Sequence, residues 1–248
     1  MLRLATGAAT FLVILAFPVV FTGTAVRLLF SWQPLYEYSF DRYRVAVATG
    51  IDRADLSRVA QALIAYFNNE EPTVNLSITQ RGTTRDVFTE REVLHMVDVK
   101  ALVRGVVRAQ EIAFFVVIAF IAIAAWRERV GAARRVGTAM LWGSGLTFAL
   151  LAALLALSLA DFETLFLQFH VLSFQGNDYW LLDPRIHNLI AMFPPPFWFD
   201  ATLLLGMSIA LQAAIVLLAG WQLRRFFSPA ALPAASLACG EPPAERRR

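Results

Sequence analysis

Four stretches of the sequence contain no Asp, Glu, Lys, Arg or His over lengths that suit a membrane crossing. They are residues 4–26, 112–126, 136–160 and 201–223. A helix needs about 20 apolar residues to cross the ~30 Å hydrocarbon core of a bilayer. Three of the stretches satisfy this requirement outright, so the sequence predicts a protein that crosses the membrane several times.

The composition agrees with this class of protein. Hydrophobic residues make up 58% of the chain, charged residues 17%, and the mean hydropathy is +0.56, which is too apolar for an ordinary soluble domain. The basic residues are dispersed over loops and tails without a basic stripe, so we expect no binding to nucleic acid. Cys239 is the single cysteine, which excludes an internal disulfide and gives no convincing thiol nucleophile.

The second stretch, residues 112–126, is short for a crossing. Its 15 residues would cover about 22 Å as a helix. We expect the helix to extend upstream, where four apolar residues alternate with two arginines whose long side chains can reach the headgroups. These residues are Leu102, Val103, Arg104, Val106, Val107 and Arg108.

The charges in the short loops predict the orientation of the chain. Residues 127–135 hold four arginines and a single acidic residue, so this loop is expected in the cytoplasm. Residues 161–200 are acidic, and two arginines follow the last span, so both termini are expected inside. The first span has no clear cleavage site after it, which favours a retained helix over a signal peptide.

The predicted fold class is therefore mainly α: a polytopic membrane protein with four transmembrane helices and a small extracytoplasmic α+β cap. Residues 27–111 and 161–200 are the two outer loops that form the cap, and residues 224–248 form a cytoplasmic tail that we expect to be disordered. The localisation expected for such a chain is the cytoplasmic membrane of a bacterium.

Several local patterns predict elements of the cap. Apolar residues recur at helical spacing over residues 51–68, and alternation over residues 74–88 predicts a hairpin that turns near Arg81 and Gly82. Thr89 and Glu92 form a capping-box pattern at the start of a helix. Asp183 with Pro184 predicts the start of a short interfacial helix, which the three prolines at 194–196 would end.

Candidates for chemistry lie outside the spans. The absence of ionisable residues within the spans argues against a pump or a voltage sensor, and the sequence has no P-loop, H-E-x-x-H or G-x-S-x-G motif. All three histidines, His95, His170 and His187, fall on the predicted outer side, where imidazole could transfer protons near neutral pH. Asp98 shares a helix face with His95 and could orient its ring.

Each histidine also has an ordinary structural explanation. His95 could lie on a solvated polar helix face, His170 could be an interfacial side chain, and His187 could be a surface residue of the interfacial helix. A metal site built from His95, Asp98, His170 and another carboxylate is possible by ligand chemistry, but no compact ligand spacing supports it. We predict no metal.

The sequence around two of the histidines resembles the lipoprotein intramolecular transacylase (Lit) family of bacterial integral membrane proteins. The similar blocks are F-T-E-R-E-V-L-H-M-V-D-V-K at 88–100, Phe169 with His170, N-D-Y-W-L-L-D-P at 177–184, and parts of 189–200. With the four-span layout, the resemblance covers nearly the whole chain except the C-terminal tail. At His187 the family is expected to carry an acidic residue, so the sequence departs there.

The resemblance implies an enzyme that moves the sn-2 acyl chain of a diacylglyceryl-modified lipoprotein to the α-amine of its N-terminal cysteine. The family's two catalytic histidines match His95 and His170. His95 is expected as the base, and His170 as the acid or oxyanion stabiliser, although these roles could be exchanged. Asp98, Asp178, Tyr179 and Trp180 are expected to support the pair or to position lipid. The expected partners are diacylglyceryl lipoproteins and membrane lipid, with no cofactor.

Two other functions remain open from the sequence. A non-enzymatic membrane scaffold with a partner-binding cap would tolerate changes of the histidines. A metal-dependent lipid hydrolase would lose activity with a chelator. For the two-histidine mechanism, we expect His95 and His170 to lie within roughly 4 to 8 Å of each other, because each imidazole must contact the reacting group directly or through one water.

Overall fold

The computed structural model describes residues 2–80, 82–128 and 130–227. Within this part of the chain, four long helices are apolar enough to cross a membrane. They are α1 (Leu2–Ser31), α5 (Glu90–Glu128), α6 (Val130–Ser173) and α8 (Pro195–Phe226). The predicted number of spans is therefore confirmed, while the side of the membrane on which the termini lie stays a prediction.

Helix α5 runs without interruption from the cap through the bundle. Its 39 residues would extend about 58 Å, nearly twice the thickness of the hydrocarbon core. The upstream extension predicted for the short span is confirmed, because residues 112–126 form only the last part of α5. His95 precedes Ile112 by about 25 Å of helix, and it therefore lies outside the span.

The connection between α5 and α6 is much shorter than the predicted loop at 127–135. Helix α5 ends at Glu128 and α6 begins at Val130, so most of the predicted loop is helical. An ion pair between Arg135 and Glu128 joins the two helix ends. Charged residues of the predicted loop can be helical because long charged side chains at the edge of the bundle can extend away from its apolar interior.

Helix α6 is broken at Asp161, where the predicted third span ends. The backbone of Asp161 is not helical (φ −161°, ψ 90°). Its carboxylate accepts hydrogen bonds from the backbone N–H of Thr164 (3.0 Å) and from the Thr164 hydroxyl (2.6 Å). Asp161 thus caps a second helix, residues 162–173, which we call the outer segment of α6.

Small residues bring α6 and α8 close together. A Cβ placed on Gly220 would lie 2.9 Å from the carbonyl oxygen of Gly137 and 2.8 Å from the Cβ of Met140. Helices in membranes use such small residues to approach each other, since lipid provides no hydrophobic driving force between them. Apolar residues of α1, α5, α6 and α8 fill the rest of the bundle core.

The cap is built from the shorter elements and from the ends of α5 and α8. These elements are α2 (Gln33–Arg42), α3 (Val45–Thr49), α4 (Arg53–Asn68), β1 (Ser77–Gln80), β2 (Thr83–Asp86) and α7 (Asn188–Met192). The apolar face of α4, which includes Leu56, Val59 and Leu63, is fully buried in one core with Met192 and Phe193 from the second outer loop. The predicted association of the two loops is confirmed.

The predicted hairpin and the predicted link between Thr89 and Glu92 are both present. β1 and β2 pair antiparallel, with Ser77 opposite Asp86 and Gln80 opposite Thr83. Gly82 has φ +79°, a left-handed conformation that glycine adopts without strain. Arg81, which we placed in the same turn, is outside the described residues, as are Cys239 and the rest of residues 228–248.

The predicted helix start at Asp183 was wrong. The backbone N–H groups of Ile186 and His187 both donate to the carbonyl oxygen of Asp183, which closes a single turn. His187 then has an extended backbone, and α7 begins only at Asn188. The helix is not a free interfacial element, because Met192 is fully buried in the cap core.

Candidate active site

His95 and His170 lie side by side at the cap end of the bundle. Their ring centroids are 6.0 Å apart, and the ring planes are inclined by 32°. The two helices that carry them, α5 and α6, run antiparallel and contact each other. A residue before the span of α5 therefore meets a residue after the span of α6. The predicted proximity of the two rings is confirmed, whereas their catalytic role stays a prediction.

The ring of His170 is oriented by its own helix. Its Nδ1 lies 2.8 Å from the carbonyl oxygen of Phe166. Because a carbonyl oxygen can only accept, Nδ1 carries the hydrogen in the neutral ring and donates it. The lone pair is then on Nε2, which is the atom that could accept a proton. The rings of Phe166 and Trp180 contact His170 at centroid distances of 4.4 and 5.3 Å.

His95 is almost completely buried, with 7% of its surface exposed, and the ring of Phe174 packs edge-on against it at 5.1 Å. Its Nδ1 is buried without a hydrogen-bond partner among the described residues. Burial, together with a smaller effect of the neighbouring His170, lowers the pKa of His95 to about 4, although the charge of Asp98 opposes this shift. Burial also lowers the pKa of His170. Both rings are therefore neutral at physiological pH.

Asp98 does not bind His95 as we expected. Its Oδ2 accepts a hydrogen bond of 3.0 Å from the side-chain amide of Asn177. Asn177 in turn accepts a hydrogen bond of 3.2 Å from the backbone N–H of Tyr179. Asp98 thus acts on the site in two ways: its charge affects the pKa of His95, and its hydrogen bond fixes the segment that carries Trp180.

Arg91 is a site residue that the sequence did not single out. It lies one helical turn before His95, and its guanidinium donates to the backbone carbonyl of Asp178 and forms an ion pair of 3.1 Å with the Asp178 carboxylate. Its Nε is buried without a partner among the described residues. Arg91, His95 and Asp98 form one face of α5 that meets residues 177–180, and Asp178 is thereby placed at the site.

Glu92 is a second residue whose full role was not predicted. Its side chain has no exposed surface. One carboxylate oxygen accepts from the N–H (2.7 Å) and the hydroxyl (2.8 Å) of Thr89, and the other accepts from the N–H of Leu189 (2.6 Å). The capping pattern indicated the first contacts. The bond to Leu189, 97 positions away, ties the two outer loops together.

The remaining predicted residues have different positions. Trp180 contacts His170 directly, and the structure shows Tyr179 at the site through its backbone N–H. His187 is not the surface residue that we expected: it is 9% exposed, and its Nδ1 accepts a hydrogen bond of 2.8 Å from the N–H of Asp183. Among the described residues, no three His, Cys, Asp or Glu side chains are placed to hold a metal ion.

Two cavities lie at the cap end of the bundle, on either side of Asp200. They have volumes of about 260 and 340 Å³, and neither is lined by His95 or His170. Asp200 accepts hydrogen bonds from the hydroxyl groups of Tyr38 (2.8 Å) and Tyr43 (2.7 Å). From the sequence we also expected His95 and His170 to face each other across a lipid-accessible cavity at the outer membrane boundary, and this expectation stays a prediction.

A row of aromatic rings connects the larger cavity with the histidine pair. Phe162, which lines the cavity, stacks on Phe166 at 5.7 Å, and Phe166 contacts His170. The start of α8 flanks this row: Phe199 contacts Phe162 at 5.3 Å, and Trp198 stacks on Phe166 at 6.1 Å. The site is thus bordered by apolar surface on the side that faces the bundle.

Comparison with known proteins supplies the family. The family model described as "Lipoprotein intramolecular transacylase Lit" matches residues 11–198, which is most of the chain. The chain belongs to this family. The resemblance found in the sequence is thereby confirmed, and the protein is an enzyme of a membrane-integral family.

Solved structures of the family share the fold. The lipoprotein intramolecular transacylase Lit from Bacillus cereus superposes with a TM-score of 0.72 at 21% identity, covering 90% of this chain and 95% of the other. Variants of that protein with one histidine replaced by arginine or by alanine give TM-scores of 0.69 at 20% identity. An uncharacterized protein from Aquifex aeolicus (strain VF5) is 23% identical over 210 residues, or 84% of this chain and 91% of the relative.

Proposed function

We propose that this protein transfers the sn-2 acyl chain of a diacylglyceryl-modified lipoprotein to the α-amine of the lipoprotein's N-terminal cysteine. The product is a lyso-form lipoprotein with an N-acylated cysteine. The observation that carries the proposal is the pair of neutral imidazoles, His95 and His170, with centroids 6.0 Å apart in a chain of the transacylase family. At this distance both rings can contact one reacting group beside them.

The environment of the rings favours His170 as the base. Its Nδ1 donates to the Phe166 carbonyl, which leaves the Nε2 lone pair available for the proton of the attacking amine. His95 has a pKa of about 4 and is a weaker base, but its neutral ring can donate a hydrogen bond to the developing oxyanion. This assignment exchanges the roles that we first expected from the sequence.

The reaction balances with these residues. The amine nitrogen attacks the sn-2 ester carbonyl, and the nitrogen–carbon bond forms as His170 takes one amine proton. The tetrahedral intermediate, held by the hydrogen bond from His95, then collapses with cleavage of the bond between the carbonyl carbon and the glycerol oxygen. His170 returns the proton to this oxygen. Amine and ester belong to one lipidated cysteine, so the transfer is intramolecular and requires no acyl-enzyme.

Residues 177–180 and α5 hold this arrangement in place. Arg91 binds Asp178, Asn177 binds Asp98, and Trp180 packs against the His170 ring. Side chains that position a reacting group in this way determine catalytic efficiency, because small displacements lower the rate strongly. We propose Asp98, Asp178 and Trp180 as positioning residues rather than as acids or bases.

The orientation belongs to the same proposal. The arginines near the α5–α6 connection and after α8 support a cytoplasmic location for both termini and an extracytoplasmic cap. Diacylglyceryl lipoproteins would then be met at the outer face of the cytoplasmic membrane. Reporter fusions after Glu128 and Arg225 should report the cytoplasm, and fusions within residues 70–80 should report the outside.

The decisive experiment is mass spectrometry of lipoprotein N-termini in cells that express the protein or its variants. We expect the lyso form with the wild-type chain and a loss of about 100-fold or more in its rate of formation with His95→Gln or His170→Gln, since a positioned acid or base contributes 10²- to 10⁴-fold. His187→Gln is the matched control, because His187 is a buried histidine of the cap outside the pair.

Two outcomes would favour another function. If His95→Gln and His170→Gln both retain full transacylation, the pair has no catalytic role and a scaffold function becomes the better explanation. If the purified protein loses its activity with a metal chelator and regains it with added metal, the metal-dependent hydrolase is favoured instead. Elution of each variant from a size-exclusion column in detergent must match the wild type, so that misfolding is recognised.

A further inference from the structure

The outer segment of α6 exposes apolar side chains beside the histidine pair. Leu172 is 68% exposed, and Leu167, Phe169 and Val171 are each 46–47% exposed. From residue 164 to residue 177 the chain contains no Asp, Glu, Lys or Arg. An exposed apolar patch of this kind marks a surface that contacts lipid or another protein.

Helix α4 of the same cap, in contrast, has a polar outer surface. The exposed positions of α4 hold small or polar residues, namely Ala54, Arg58, Gln61, Ala65 and Asn68. Its outer surface is that of a helix in water. The two helices belong to one cap, so the apolar surface of the outer segment is a local feature and not a property of the cap as a whole.

The position of the outer segment indicates what covers this patch. The segment continues directly from the third membrane-spanning stretch, after the break at Asp161. Its first turns lie against Trp198 and Phe199 at the start of α8, where aromatic residues are typical of the membrane interface. His170 follows Phe162 by about 12 Å of helix. The patch is therefore continuous with the lipid-facing surface of the bundle.

We propose that the apolar face of the outer segment contacts the acyl chains of lipids in the leaflet on the cap side of the membrane. This contact brings His170, on the neighbouring face of the same segment, to the depth of the glycerol esters. The consequence for catalysis rests on the proposed function: the substrate ester reaches the histidines laterally from the bilayer, and its acyl chain does not cross water. The lipid contact itself does not depend on that function.

Spin labelling measures this contact directly. Because Cys239 is the single cysteine, a Cys239→Ser chain provides a cysteine-free background for a nitroxide at Leu172→Cys. The protein is reconstituted into liposomes, and the accessibility of the label to oxygen, which concentrates in lipid, is compared with its accessibility to a water-soluble nickel chelate. Leu157→Cys, an exposed position within the span, is the lipid reference, and Thr83→Cys in the hairpin is the water reference.

We expect the label at Leu172 to behave as the label at Leu157 does, with high accessibility to oxygen and low accessibility to the chelate. Accessibility to the chelate equal to that at Thr83 would overturn the proposal. Exclusion of both reagents would overturn it as well, because the patch would then be covered by protein. The same measurement at Val171→Cys repeats the test on the adjacent position of the patch.

Activity provides an independent test. Leu172→Asp should raise KM for a lipoprotein in liposomes by roughly fivefold, because a charge at the interface costs about 1 kcal/mol, while kcat stays unchanged. Leu172→Met is the matched control and should resemble the wild type. A decrease in kcat with unchanged KM would contradict lateral access. If the label contacts lipid but the wild-type chain forms no lyso product, the proposed function fails and the lipid contact stands.

Discussion

Raising the pH from 6 to 8 should increase the rate of acyl transfer through the substrate amine rather than through the histidines. With a pKa of about 4, the His95 ring is about 1% charged at pH 6, whereas a ring with the ordinary value of 6.5 would be about 76% charged. The pKa of His170 is lowered as well. His95 is therefore already neutral at pH 6, and burial shifts the pKa of His170 in the same direction, so we expect the substrate amine to determine the pH dependence.

The substrate amine, unlike the His95 ring, is mostly charged at pH 6. An α-amine with a pKa of 7.7 to 8 is about 1–2% neutral at pH 6 and half to two-thirds neutral at pH 8. The value of kcat/KM should then rise about 30- to 50-fold over this interval and become constant above pH 9. This profile belongs to the amine, so it should be the same in a positioning variant such as Asp98→Asn, even where the absolute rate is lower.

The assay uses a synthetic diacylglyceryl lipopeptide with purified protein in liposomes, and liquid chromatography with mass spectrometry quantifies the lyso product. The uncatalysed reaction at each pH is measured without enzyme and subtracted. An N-acetylated lipopeptide is the second control and should give no product. A rate that rises around pH 6.5 and is constant above pH 7.5 would refute the reasoning, because a histidine with an ordinary pKa would then control the reaction.

Two further predictions concern stability, measured as the free energy of unfolding in detergent titrations. Gly220→Ala should lower the free energy of unfolding by about 1 to 3 kcal/mol, because the added methyl group would overpack against the Gly137 carbonyl. Gly145→Ala is the control and should leave this free energy unchanged, since no atom lies near its added methyl group. Equal effects of the two changes would contradict the close approach of α6 and α8. Glu92→Ala should lower the free energy of unfolding by about 3 kcal/mol, because three hydrogen bonds to a carboxylate are lost. Retention of wild-type stability would show that the tie to Leu189 is not formed.

The sequence predicted the features that depend on local pattern. Long uncharged stretches indicated the spans, since a membrane-crossing helix must be long enough to cross the hydrocarbon core and apolar enough to lie in it. The hairpin and the Thr89–Glu92 link followed from turn and capping residues. The approach of His95 and His170 was also predictable, because two consecutive antiparallel helices must bring the end of one beside the start of the other.

The features that were missed depend on contacts between distant segments. Asp98 was expected at His95, but Asn177, 79 positions away, provides a hydrogen-bond donor that no local pattern reveals. Asp183 and Pro184 are a good helix start by themselves, yet the side chain of His187 folds back onto the backbone of Asp183 and the chain stays extended there. Arg91 was not singled out in the sequence, because its partner Asp178, 87 positions away, could be found only in the folded structure.

The cap core has a consequence for biosynthesis. The first part of this core, residues 35–96, cannot complete its packing until residues 192–201 have been synthesised, because Met192, Phe193 and Phe197 belong to the same core. Ribosomes add about 5 to 20 residues per second, so the buried face of α4 and the carboxylate of Glu92 are without their final neighbours for roughly 5 to 20 s. During this interval the cap is incomplete, and the nascent chain exposes its apolar surface outside the translocation channel. The histidine-bearing helices can pair earlier, but the cap closes around them only as the last span is inserted.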